Sequence, residues 1–181
     1  MANSLTGRVW SADTVGILSK IPVSIKAIGI IPSAAGGYAT LTYWDENSPN
    51  TGSELALTAS VSSGTVTDDN AGHNWLTAAA FPALDVVQVL ATSGAAANKT
   101  YHLIGTAGND DRIIITPTTT WADENNKDYV IKCWPCKPAF RGLTQATTAK
   151  DGWYPFHGLG IDFPNLVLSI VSNAAVYIYF D

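Results

Sequence analysis

Charge is scarce in this chain. Only 14% of its 181 residues are Asp, Glu, Lys or Arg, against roughly 25% in ordinary soluble domains. Ala, Thr, Gly and Ser fill the gap. A surface so short of charge is poorly protected against association, which fits a protein covered in large part by neighbours. Basic residues are the scarcest, with ten Lys and Arg against fifteen Asp and Glu. The net charge is −5 and the pI is near 5.0. The ten cations are scattered singly. Nucleic-acid binding draws on Lys and Arg that neutralise phosphates, and adsorption to anionic lipid needs basic clusters. The composition argues against both.

Long apolar runs are missing as well. None approaches the roughly 18 residues that span a bilayer as a helix. The opening "MANSLTGRVW" is polar and lacks the apolar stretch of a secretory signal, so the expectation is a soluble product made in the cytoplasm. Two cysteines make no disulfide framework. "NKT" at Asn98 matches a glycosylation acceptor, which without a signal peptide reads as chance. Sustained 3.6-residue periodicity is absent too. "LTAAAFPALDVV" allows a short turn before Pro82, and "TTTWADENNKD" allows one or two helical turns from Thr120 as N-cap.

What is present is alternation. In "YATLTYW", Ala39, Leu41 and Tyr43 alternate with Thr40, Thr42 and Trp44. Leu166, Leu168 and Ile170 share one face of a strand, and Val176, Ile178 and Phe180 share one face of another. A period of two in β-branched and aromatic residues predicts half-buried strands. Further strands are expected at 5–10, 23–31, 55–61, 86–91, 101–105, 112–116, 129–134 and 159–163. "PSAAGG", "NSPNTG", "SSG", "DDNAG" and "TAGNDD" supply turns between them. With 46% hydrophobic residues the chain can bury a core. The fold class is therefore all-β, a sandwich or barrel.

The strongest patterns lie at the two ends. A terminal strand rich in Ile, Phe and Tyr is a hazard if unpaired, and pairing it with the N-terminal strands removes the hazard. This predicts a jelly-roll-like β-sandwich from residues 1–50 and 151–181, with 51–150 as an inserted β-rich module. "VSIKAIGIIPSAAGGYATLTYWDE" and "FHGLGIDFPNLVLSIVSNAAVYIYFD" resemble the small β-sandwich proteins on the heads of tailed bacteriophages. The middle stretch "FPALDVVQVLATSGAAANKTYHLIGTAGNDDRIIITPT" is similar to small barrel-like modules of virion proteins. A minimal sandwich of that kind lacks the long insertion.

Candidate chemistry is thin. "KCWPCKP" holds Cys133 and Cys136 as C-x-P-C. A redox dithiol needs a helix N-terminus after the first Cys, and the Pro138- and Gly142-bearing stretch that follows is a poor helix. A zinc site needs four ligands, whereas His73, His102 and His157 each stand alone. Two reduced thiols at a strand end, where Pro135 and Pro138 turn the chain out of the sheet, is the reading adopted. The acidic pairs Asp45–Glu46, Asp68–Asp69, Asp110–Asp111 and Asp123–Glu124 sit beside Asn in expected loops. They lack the alternating spacing of an EF-type calcium loop and read as solvated turns. No nucleophile elbow or phosphate loop occurs. No catalytic, cofactor or metal residue is therefore singled out. Of the six tryptophans, Trp121 and Trp153, the latter followed by Tyr154, fall in turn-rich stretches. These three are the candidate interface residues.

The resemblance implies a non-enzymatic virion protein, made in the host cytoplasm. It implies a decoration or cement subunit that binds the major capsid protein and copies of itself, as a homotrimer on a threefold position. No nucleic-acid, membrane or cofactor partner is expected. The alternative is a phage adhesin or carbohydrate-binding module on a tail or head fibre, using Trp121 or Trp153 as a stacking platform.

Overall fold

In a computed structural model, residues 4–49, 54–70, 76–77, 79–93, 101–109, 111–116, 121–144, 150–156, 158 and 160–181 are described. The chain divides into two compact units, residues 1–44 with 137–181, and residues 45–136. The first part of the chain supplies β1 (Ser4–Thr6), β2 (Val9–Ala12), β3 (Gly16–Ser19), β4 (Val23–Pro32) and β5 (Tyr38–Tyr43). The middle supplies β6 (Glu54–Ser62), β7 (Thr65–Asp68), β8 (Val86–Ala91), β9 (Tyr101–Asn109), β10 (Arg112–Thr116) and β11 (Glu124–Trp134). The last part supplies β12 (Lys137–Leu143), β13 (Gly152–Pro155), β14 (Ile161–Phe163), β15 (Leu166–Ser172) and β16 (Ala174–Phe180). The fold is all-β, and the described residues contain no helix.

The first unit is a sandwich. One sheet runs β1-β2-β16-β4-β13, with β14 also on β4; the other runs β12-β5-β15-β3. Every pairing is antiparallel. Period-two alternation turns Ile28, Ile30, Val176 and Ile178 of the first sheet toward Ala39, Leu41, Leu166 and Leu168 of the second, and these residues form one buried cluster. The last strand lies at the centre of its sheet, between β2 and β4. The expected strand at 5–10 is instead a hairpin, β1–β2, because Gly7 adopts a φ of 59° and reverses the chain.

Side chains complete the backbone pairing where strands stop. Asn165, 3% exposed, accepts the Trp44 N–H at Oδ1 and donates from Nδ2 to the Trp44 carbonyl, both at 2.9 Å. It thereby replaces a strand neighbour. The turns after β4 and β15 meet at Asn173, whose carbonyl accepts the Ser33 N–H at 2.8 Å. Gly37 lies so close that an added Cβ would stand 2.6 Å from that carbonyl oxygen. Asp181 ties the end of the chain to Lys26 at 2.9 Å and to Arg8 at 3.5 Å. The Lys26 contact holds its carboxyl below the ordinary range, but these exposed pairs contribute little stability.

The second unit is a closed barrel, β10-β7-β6-β11-β8-β9. A two-residue turn at Ser63 and Gly64, both with positive φ, closes the β6–β7 hairpin in the geometry that suits strand twist. Val66, Val87, Val89, Ile104, Ile113, Ile115, Ile131 and Tyr129 fill the interior, as in other small barrels.

The unit boundaries differ from the expected 51–150. Residues 45–50 belong with the barrel unit, and Lys137–Leu143 with the sandwich. "KPAFRGL" reads as loop, but β12 is an edge strand, where Pro is tolerated. Pro138 falls beside a register shift against β5. At Gly142 an added Cβ would run into Ile30 Cδ1 and the Phe140 ring, so those side chains would have to shift. The turn before Pro82 exists: the Phe81 N–H bonds the Thr77 carbonyl at 2.8 Å. Thr120, the expected N-cap, lies outside the described residues. Glu124–Asp128, expected as helix, is the start of β11. There Asn126, at φ 57°, forms a bulge whose N–H is taken up by Asp69 at 3.0 Å.

Tyr129, 1% exposed, donates its hydroxyl to Glu124 Oε2 at 2.8 Å. Burial, that hydrogen bond and the nearby negative charge of Glu124 and Asp69 push the phenol well above its ordinary value. Tyr101 moves the same way, through burial and then Glu46. Each folded-state pKa lies above the unfolded one, so the folded state holds its protons longer. The stabilisation is complete below about pH 10 and is lost as pH rises above it. The barrel should therefore unfold more readily from about pH 10 upward. Tyr129→Phe should flatten that alkaline limb, read as urea midpoint against pH.

Candidate functional site

The outer face of the first sheet is the site that the side chains build. With Ile28, Ile30, Val176 and Ile178 turned inward, their strand neighbours point away from the core. Register places Trp153, Gly29, Tyr177, Ser11 and Ser4 in one row across the five strands. Pro155, Ala27, Tyr179, Val9 and Thr6 form the next row. Neither row carries a charge. Trp153 is 56% exposed. Its six-membered ring lies over Gly29, where a Cβ would stand 3.4 Å from Cε3. It also meets the Tyr179 ring edge-on, with centroids 5.1 Å apart. Ala27 is only 6% exposed although it lies outside the sandwich core. Contiguous exposed apolar patches commonly mark a binding surface.

At one end of the face lies a hollow of about 490 Å³. Asp13, Ile31, Ser33, Asn173 and Tyr177 line it, with Pro32 and the alanines of β16. Asn173, at φ 50°, is exposed at the tip of its turn. An aromatic ring, a carboxylate, an amide and a hydroxyl thus line one hollow.

Of the three candidate interface residues, the structure brings Trp153 and Tyr154 to the same strand but to opposite faces. Tyr154 turns inward and packs edge-on against Phe140, centroids 5.0 Å apart. Its hydroxyl donates to the Leu143 carbonyl at 2.6 Å and accepts the Leu143 N–H at 3.0 Å. It therefore seals the edge of β12 rather than meeting a partner. Trp121 is a correction: it is 7% exposed and belongs to the barrel core. Its turn-rich surroundings suggested exposure, yet the segment before β11 sends the indole inward, edge-on to His102 at 5.4 Å. Tyr177, Tyr179 and Asn173 also belong to the face. The alternation in "AVYIYF" already put both tyrosines on one face, but sequence alone did not say which face was outside.

The remaining candidates are accounted for by local bonds. Cys133 is buried in the barrel, and Cys136 is partly exposed beyond the end of β11; both are thiols. The Cys136 N–H donates to Asp85 Oδ1 at 2.9 Å. Asp45 accepts the Asn47 N–H and the Ser48 hydroxyl, each at 3.0 Å. Asp69 accepts the Ser60 hydroxyl at 2.8 Å, and Asp123 the Ser62 hydroxyl at 2.6 Å. Asp68, expected in a solvated turn, is instead 7% exposed and accepts the Asn70 N–H at 2.9 Å. Among the described residues no three His, Cys, Asp or Glu side chains are placed to hold a metal. His73, Trp75, Asn98, Asp110 and His157 lie outside the described residues. No family model, curated protein or solved structure matches the chain.

Two outcomes are expected. Tyr154→Phe keeps the ring but strands both Leu143 backbone groups in a region open to water, and should cost about 1 kcal/mol by urea denaturation. Alkylation of the native protein should label Cys136, whereas Cys133 should react only on unfolding, as mass spectrometry of tryptic peptides would show.

Proposed function

We propose that this chain is a structural virion protein: a decoration or cement subunit that binds the outer surface of a tailed-phage capsid and stabilises it. The observation that carries the reading is the placement of the two stretches that resemble phage head proteins. Residues 23–46 supply β4 and β5, and residues 156–181 supply β14, β15 and β16. They pair with one another in both sheets of one sandwich, β16 on β4 and β15 on β5. The strand Ala174–Phe180 is held mid-sheet, with a partner on both sides. That suits a part displayed on a particle.

The scarcity of charge supports repeated contact with neighbours. Many copies around a symmetric shell turn weak individual contacts into strong attachment. The partners of this reading are the major capsid protein and further copies of the chain, closed as a ring, with a trimer matching a threefold position. The role is binding rather than chemistry.

Particles assembled without the protein should break at a lower temperature than particles that carry it, and adding the purified protein back should restore the difference. Identical breakage curves would overturn the stabilising role.

A further inference from the structure

We propose that the outer face of the first sheet is a saccharide-binding site, taking an extended oligosaccharide of pyranose units across Trp153 and Tyr177 with its end in the hollow at Asn173. This goes beyond attachment to a shell and names a ligand class for this face.

Three features select a sugar. First, the platform is aromatic and uncharged: Trp153 and Tyr179 stand together over Gly29 and Ala27, and Tyr177 follows on the next strand but one from β13. A pyranose presents C–H groups on its flat face and hydroxyls at its rim. It therefore rests on exposed rings, and a charged ligand gains nothing there. Second, a carboxylate, a hydroxyl and an amide gather at one end, where Asp13, Ser33 and Asn173 line the hollow beside Tyr177. A carboxylate and an amide can each engage a pair of neighbouring hydroxyls. A few placed polar groups beside an aromatic ring is the usual composition of a small-ligand site, and the hollow is open to solvent, as the end of a longer chain requires. Third, the spacing fits. Trp153 on β13 and Tyr177 on β16 are two strand spacings apart, about 10 Å, which is the length of a disaccharide. Equatorially linked, gluco-configured chains keep successive rings flat along such a line.

The face is also preformed. Register fixes both rows, and Asn173 is held by its carbonyl bond to Ser33. No ordering of a loop is needed on binding, which limits the entropic cost.

The test is binding of the full-length protein to cello-, chito- and malto-oligosaccharides and to galactose-rich glycans, by array and then by titration calorimetry. At least one gluco-configured series should bind and shift the tryptophan emission. Trp153→Ala should weaken that binding at least tenfold, Trp153→Phe less. Asn173→Gly, which preserves the left-handed backbone, should weaken it several-fold. All variants should keep the wild-type circular dichroism and still associate with particles. Silence across the whole set overturns the proposal, and so does binding that survives Trp153→Ala. If Trp153→Ala instead abolishes particle association while no sugar binds, the face is a shell contact. The saccharide inference then falls and the virion reading stands.

Discussion

The pairing of β16 between β2 and β4 is the constraint on which the sandwich depends. Remove β16 and the β1–β2 hairpin has no sheet to join, because β2 reaches β4 only through it. The inward residues Val176 and Ile178 also sit at the middle of the core. The pairing joins the two ends of the chain, so the contacts that complete the sheet are among the most distant in sequence. Such contacts form late, after much loop-closure entropy has been lost. Once formed, they leave the last strand with a partner on both sides.

Much of this was legible beforehand because the strands at the ends alternate cleanly. β5 and β16 show their period of two, β4 keeps it from Ile28 to Ile30, and β15 keeps it to Leu168, after which a register shift against β5 brings Val171 rather than the expected Ile170 to the core; an unpaired terminal strand would have been a liability. The all-β class followed from the same signal. What was not legible was decided by neighbours rather than by local pattern. β12 carries Pro138 and Gly142, which read as loop, yet an edge strand needs few N–H groups, and Gly142 makes room for Ile30. β13 is four residues long and hidden in "DGWYPF", where β4 recruits it. β7 is as short, and the Ser63–Gly64 turn gives it away only after β6 is known. The burial of Trp121 is not legible, because turn composition says where the chain bends and nothing about which way a side chain then points. The candidate face was half visible. Trp153 was found by its surroundings, but Tyr177, Tyr179 and Asn173 needed the register.

Tyr154 and Asn165 show a shared device. Each offers a donor and an acceptor to a single residue's backbone, at Leu143 and Trp44 in turn, where no strand continues the ladder. A side chain in that role satisfies the backbone and closes the position to another chain's strand. Alternation on β13 then lets one strand serve two ends: Tyr154 seals the inside while Trp153 dresses the outside.

The barrel uses its carboxylates in a particular way. Asp69, Asp123 and Asp128 each accept a hydroxyl from Ser60, Ser62 or Thr58 on β6, the last at 3.0 Å. They take neutral donors where other proteins place Lys or Arg. A bond between a carboxylate and a neutral hydroxyl is weakened far less by dissolved ions than a pair of opposite charges, whose attraction fades within a Debye length of about 8 Å at physiological ionic strength. These three bonds are thus nearly indifferent to dissolved ions, whereas the Lys132–Glu54 pair that also joins β11 to β6, at 2.8 Å, weakens as salt rises.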